Sequence, residues 1–447
     1  MSLTAALYLL AWCGCLALAF LRSPVFGLYA YVADFYFHPS SRWWGQDLPD
    51  LRWSLLAAVV TLIATLLAAP KVESRGGWLS LTPVKLLLGF AAWVWLQNLW
   101  ALDANEHFEF SILMTKYLVV VYLIYRLVSD QATSRWFLGI HVLGCAYLGW
   151  LILETPGGQG RFDGLGGPGL GEANALAMQL ACGALAAAAL FATGRWWSRA
   201  LLCVAGVLIL NGLVQTESRG AFLALLAGGL VFLWFSPNQW RWRWIALASV
   251  ALILLLPRVP ETFWQRMSTI TAAVETPEQV DLSAATRLEL VSAQWQMFLR
   301  YPLGSGHRGT AALSPRFLSS EYLAKNRSGE DTGARSSHNT YLTVLVEQGI
   351  PGVLLFAGLI LWLARTSLVA RRQLAVKEAT GDMLELASVA AILGVVLVAG
   401  MFRDFIKAEI FIWGLALLAG IHCRSSGQPR VTAHESELVG SPKVALD

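Results

Sequence analysis

The chain has 447 residues, 56% hydrophobic and only 14% charged, with a mean hydropathy of +0.55. A soluble protein of this length could not bury so much apolar surface, so composition indicates an all-α polytopic membrane protein. The net charge of +4 is spread along the chain, and no Lys/Arg-rich run points to nucleic acid.

The first apolar run, residues 3–20, is followed rather than preceded by its charge, Arg22, and reads as a retained span, not a cleaved signal. Residues 26–38, FGLYAYVADFYFH, are apolar but short and contain Asp34, which suggests an interfacial or re-entrant piece. Further runs follow at about 54–69, 84–102, 109–128, 136–153, 174–193, 198–214, 219–235 and 242–256, giving about nine spans within residues 1–256. A polar stretch at 257–338 separates these from runs at about 340–364, 384–402 and 405–422, which make about three more spans within 339–423. The total is about twelve transmembrane helices with one large loop, and residues 424–447 read as a disordered tail.

Charge orients these spans. Lys71, Arg75, Arg126, Arg135, Arg195, Arg199, Arg241, Arg243, Arg371 and Arg372 fall in alternate connections, which therefore face the cytoplasm. Both termini are then expected inside, and counting 26–38 as a span would spoil the pattern. The large loop faces outward, which in a bacterium is the periplasm. Tryptophans cluster at run ends, as in Trp43–Trp44 and Trp196–Trp197, where they suit the aromatic belts of a bilayer. The six cysteines lie in or beside apolar runs without a CxxC pair, so neither a disulfide framework nor a zinc site is expected.

This topology gathers ionisable groups on the outer side. Arg161 lies in a glycine-rich loop, Arg219 opens the 219–235 run, and Arg335 and His338 precede the 340–364 run. Arg403 and Asp404 occupy the short connection MFRDFIKAE. Arg287 falls near the start of residues 284–300, whose periodicity predicts an amphipathic helix with Leu288, Val291, Trp295, Phe298 and Leu299 on one face. Each charge has a plain alternative. Arg403 and Lys407 could snorkel to headgroups, and His338 could be an interfacial or capping residue beside the better cap candidates Ser336, Ser337 and Asn339. Snorkelling explains Arg219 less well, since it sits between two apolar runs where a charge is costly unless it faces a polar cavity.

Four segments carry a family resemblance: GEANALAMQLA (171–181), TESRGAFLALL (216–226), ATRLELVSAQWQMFLRYPLGSG (285–306) and SSHNTYLTVLVEQGIPGVLLF (336–356). With the expected topology, they resemble the O-antigen ligase superfamily, which spans lipopolysaccharide ligases, O-antigen polymerases and bacterial protein O-oligosaccharyltransferases. The stretch LRSPVFGLYAYVADFYFHPSSRWW (21–44) also looks like the O-glycosylation ligase branch associated with exosortase systems. The resemblance implies an inner-membrane transferase that moves a glycan en bloc from undecaprenyl diphosphate to an acceptor. That acceptor is lipid A–core or, alternatively, a protein. It also implies that Arg219 and Arg287 handle the diphosphate with His338 at the reaction centre. Arg161, Arg335, Arg403 and Asp404 would serve the donor diphosphate and glycan.

Physical chemistry fits this reading. Negative charge grows on the lipid diphosphate as the glycosidic bond breaks. No DxD sequence or His/Asp/Glu ligand cluster is evident on the outer side, so no metal or other cofactor is expected and arginines take that charge. Their planar forks bind phosphate oxygens bidentately. A different class, a lipid-linked glycan flippase, would place charges near mid-span, where Lys116 is the main exception to nearly charge-free centres. A non-catalytic export scaffold is a third reading.

Overall fold

The computed structural model describes residues 1–68, 77–155, 162, 164–255, 282–319 and 335–427. Arg161 lies outside them, as do most of the tail and parts of the large loop. Among the described residues the chain is helical, with no strand. The helices are α1 (Leu3–Leu21), α2 (Val25–Phe37), α3 (Trp53–Leu67), α4 (Thr82–Gln97), α5 (Ala104–Leu127), α6 (Gln131–Glu154), α7 (Ala173–Thr193), α8 (Trp196–Gln215), α9 (Arg219–Phe235) and α10 (Asn238–Leu255). After these come α11 (Leu282–Arg300), α12 (Gly309–Phe317), α13 (Thr340–Val376), α14 (Thr380–Ala399) and α15 (Glu409–Ser425).

Every apolar run expected from the sequence coincides with a helix, and among the described residues seven helices are long and apolar enough to cross a membrane: α1, α5, α6, α7, α8, α13 and α14. Helices α3 and α9 are apolar but shorter, at 15 and 17 residues. At 1.5 Å per residue α3 extends roughly 22 Å, less than a hydrocarbon core of about 30 Å. Helix starts follow the capping chemistry of the sequence. Asp103 accepts from the amide of Glu106, and Asp130 and Thr133 form a reciprocal capping box. The core is built on α7 and α14, which are 78% and 72% buried, whereas α1 is 11% buried and peripheral. Helices α14 and α9 pack closely because Gly228 carries no side chain; a Cβ there would lie 2.4 Å from Val395.

Two expectations need correction. Residues 26–38 do not lie along a surface: α2 is a 13-residue helix packed against α1, α3 and α6. Asp34 is 1% exposed, and both its carboxylate oxygens are bonded, by the Tyr8 hydroxyl at 2.6 Å and by Ser54. Those two hydroxyls are why the helix tolerates the charge that argued against it. The termini also lie at opposite ends of the bundle. The Ser2 amide donates to Asp47 at 2.6 Å, and Arg42, in the same connection as Asp47, donates to the Leu165 carbonyl at 2.7 Å, beside the glycine-rich loop. At the other end, Arg424 pairs with Glu385, which accepts from Ser134 at the start of α6. Tyr29, near the start of α2, reaches the Thr133 carbonyl at that same end. Helix α2 thus runs from the end where α6 starts to the end of the glycine-rich loop, which reverses only α1 and moves Arg22 to the end that holds the basic connections.

A further correction concerns α11. Its buried face is Leu290, Ala293 and Met297, packed on Leu313 and Leu318 of the α12 segment and on Val346. Of the expected apolar face, Phe298 packs against this cluster, whereas Val291, Trp295 and Leu299 are exposed. The helix is apolar on both sides, so periodicity alone could not choose which side meets protein.

Candidate active site

The site is assembled at the end of the bundle that carries the glycine-rich loop. Helix α13 begins at Thr340, capped by Asn339, whose side-chain oxygen accepts from the amides of Tyr341 and Leu342 at 2.9 and 3.1 Å. The start of α13 is stitched to the α14–α15 connection. Thr340 N–H donates to the Gly400 carbonyl at 2.7 Å, and its hydroxyl donates to the Arg403 carbonyl at 2.9 Å while accepting from the Phe405 amide at 2.8 Å. Asn339 adds a bond to the Met401 carbonyl. His338, exposed and immediately before the cap, is thereby held beside Arg403 and Asp404. Arg335 is tied down through its backbone amide, which donates to the Ser314 hydroxyl of α12 at 2.7 Å.

Helix α9 enters the same place. Ser218 caps it, accepting from the Ala221 amide and donating to Asn174 in the first turn of α7 at 2.8 Å. Arg219 is therefore the first helical residue, and Gly220 packs so closely on Phe402 that a Cβ would sit 3.0 Å from that side chain. Arg403 forms an ion pair with Glu172, one residue before α7. Neither Arg403 nor Lys407 snorkels away: both line a cavity of about 510 Å³ together with Glu172, Gln179, Asp404 and Glu409. The structure thus brings Arg219, Arg335, His338, Arg403 and Asp404 to one end. Arg287 is carried there on α11, which packs on the first turns of α13.

Burial and the nearby Glu347 raise the Asp404 carboxyl to about 7, and burial lowers the Lys407 ammonium. Asp404 therefore changes charge close to neutral pH, where a proton acceptor is useful.

A second buried cluster fixes this geometry. Residues Val344–Gln348 form a π-helical turn within α13. It presents Glu347, 4% exposed, to the loop between α11 and α12. The Glu347 carboxylate meets His307 Nδ1 at 3.1 Å and accepts from the Thr310 amide at 3.3 Å. The backbone carbonyl of Glu347 accepts from Gly306 and from Gln97 Nε2. The His307 amide donates to His107 Nδ1 at 2.8 Å, and Phe110 stacks on the His307 ring at 4.4 Å. This lock ties the helix carrying Arg287 to the helix that His338 opens.

Sequence reading missed Glu172, His307, Glu347 and Glu409, and weighed Lys407 only as a snorkelling residue. Glu172 and Glu347 stand inside quoted motifs, but nothing local distinguishes them from ordinary polar residues. Their roles arise from contacts across long sequence distances.

Residues 204–357 match the family model described as O-antigen ligase. That segment, about a third of the chain, is similar to this family. The matched segment runs from α8 through α9 and α10 to the middle of α13, and so contains Arg219, Arg287, Arg335 and His338. Arg403, Asp404 and Glu172 lie outside it and join the site only through the fold. No curated protein matches the chain. Among solved structures, a chain of "Structural coordination of polymerization and crosslinking by a peptidoglycan synthase complex" aligns with a TM-score of 0.44 and 18% identity, over 78% of this chain and 98% of that one.

Proposed function

We propose that this chain is an O-antigen ligase superfamily glycosyltransferase that moves an oligo- or polysaccharide en bloc from undecaprenyl diphosphate to an acceptor hydroxyl, with lipid A–core as the acceptor. The reaction is assigned to the periplasmic face of the inner membrane, with the basic connections inside and the cavity end outside. The observation that carries this reading is the gathering of His338, Arg219, Arg403 and Asp404 at one end of an apolar bundle, where Arg403 and Asp404 line a cavity. A bond between a lipid diphosphate and a sugar lies at that depth, with its polyprenyl chain in the bilayer.

In the proposed step the acceptor oxygen attacks the anomeric carbon, forming a new C–O bond as the bond to the diphosphate breaks. The departing oxygen keeps the electron pair, and Arg219 and Arg287 hold the charge that develops there. The acceptor proton passes to a ring nitrogen of His338. A single displacement of this kind inverts the anomeric centre. Arg403, held by Glu172, lies across the cavity with Lys407 and suits binding of the glycan or diphosphate rather than free movement.

The test is transfer by the purified full chain in nanodiscs, using a labelled lipid-diphosphate glycan and lipid A–core. Product should form and should depend on His338. Wild-type protein that releases label to water alone, or moves intact donor between leaflets without bond cleavage, would overturn the reading.

A further inference from the structure

A second cavity of about 480 Å³ adjoins the first and has no role in the step above. The two share Phe35, Leu113, Tyr117, Pro168 and Glu409. Between them Tyr31 donates to the Glu409 carboxylate at 2.6 Å. The second cavity extends from Asp50 and Arg52, at the site end, down between α3 and α5. Its lip is formed by Leu55 and Val59, which are 37% and 44% exposed, so it opens sideways out of the bundle.

Lys116 explains the opening's chemistry. It sits midway along α5, where a charge in an apolar environment is costly unless it meets a polar cavity or a partner. Among the described residues it makes no ion pair or hydrogen bond, and it lines this cavity. The cavity therefore joins an ammonium and a guanidinium to an outward-facing apolar lip; of its carboxylates Asp50, Asp34 and Glu409, the last two already accept from the hydroxyls of Tyr8, Ser54 and Tyr31. A phosphorylated sugar headgroup on acyl chains matches that combination: phosphate for Lys116 and Arg52, hydroxyls for Asp50, chains for the lip. The donor arginines approach from elsewhere, because α9 packs on α7 and α14 while α3 packs on α1, α2 and α5.

We propose that this cavity is the acceptor's entry chamber, taking a phosphorylated membrane glycolipid from the bilayer between α3 and α5. Its sugar hydroxyl would reach the reaction centre past the Tyr31–Glu409 contact. This role rests on the transferase reading and adds the acceptor's route and the use of Lys116.

The test uses the full chain in phosphatidylethanolamine nanodiscs containing lipid A–core, with Lys116→Met, Lys116→Arg and Ala58→Trp, which fills the groove. Lys116→Met should raise the acceptor KM about tenfold through loss of one charge-assisted contact, with donor KM and saturated kcat unchanged. Lys116→Arg should recover most of it, and Ala58→Trp should act in the same direction as Lys116→Met. Native mass spectrometry should show less glycolipid retained by Lys116→Met than by wild type, whether or not transfer is measured. A rise in donor KM instead would make this the donor's chamber. Unchanged KM values and unchanged retention would reduce it to a groove for ordinary phospholipid. Transfer to a soluble serine/threonine peptide without glycolipid retention would overturn the acceptor class. Retention that depends on Lys116 in a protein that transfers nothing would uphold the chamber and sink the transferase reading.

Discussion

At the scale of single residues, the proposed step gives the arginines and the histidine separable roles. Arg219→Ala should weaken donor binding and lower kcat, and Arg219→Lys should rescue poorly, because an ammonium lacks the bidentate fork. His338→Ala should leave donor affinity nearly intact and reduce transfer by ~10²–10⁴-fold, the usual worth of a positioned base. Donor titration and single-turnover transfer, run separately, distinguish the two patterns. Asp404 gives a prediction with a defined sign. Its carboxyl is raised from 3.8 to about 7, so between those values the folded protein keeps a proton that the unfolded chain has released. Stability then falls as pH rises through that window. Asp404→Asn removes the effect, so its thermal midpoint relative to wild type should be higher at pH 8 than at pH 5. A pH-independent difference would contradict the buried, protonated carboxyl. Arg219 and His338 were legible in the sequence because a charge beside an apolar run is conspicuous. Glu172 and Glu347 were not, since a carboxylate becomes meaningful only when Arg403 or His307 arrives from a distant segment.

At the scale of elements, the joint between α11 and α13 sets the distance between Arg287 and His338. Gly349 follows the π-helical turn at φ 63°, and a Cβ there would sit 2.4 Å from the Gly304 backbone nitrogen and 2.5 Å from the Pro302 carbonyl oxygen. Backbone atoms cannot swing aside as a flexible side chain can. Gly349→Ala should therefore lower the thermal midpoint and lose transfer together, while Gly14→Ala, with open space at its Cβ, should change neither. Equal behaviour of the two variants would contradict the close approach. Elements were the best-read level of the sequence, because long apolar runs and caps such as Asp130 and Asn339 are local signals. The failures were physical too. Asp34 looked excluded from a helix in the bundle until Tyr8 and Ser54 supplied its bonds, and α11 offered two apolar faces of which only one meets protein.

At the scale of the whole molecule, the ends of the chain report the topology. Ser2 lies at the site end and Ser426 at the opposite end. In a cysteine-free background, cysteine at position 2 should react with an impermeant reagent from the periplasmic side, and cysteine at 426 only after the membrane is opened. Labelling of both from one side would contradict the α1–α2 hairpin. That hairpin was illegible in the sequence because the charge rule constrains connections, and reversing α1 alone moves only Arg22 between sides. The membrane class and the gathering of arginines at one end of the bundle were legible, since composition and alternating charge act over the full length. The site's cavity was not, because it is lined from four separated parts of the chain. The central claim is that His338 acts on a glycan whose diphosphate the arginines hold. It is tested most directly by single-turnover transfer from saturating labelled lipid-diphosphate donor to lipid A–core, comparing wild type with folded His338→Ala. Inverted glycolipid product from wild type, with a loss of ~10²–10⁴-fold in the variant at unchanged donor affinity, is the predicted result. Transfer by the variant at the wild-type rate would contradict it.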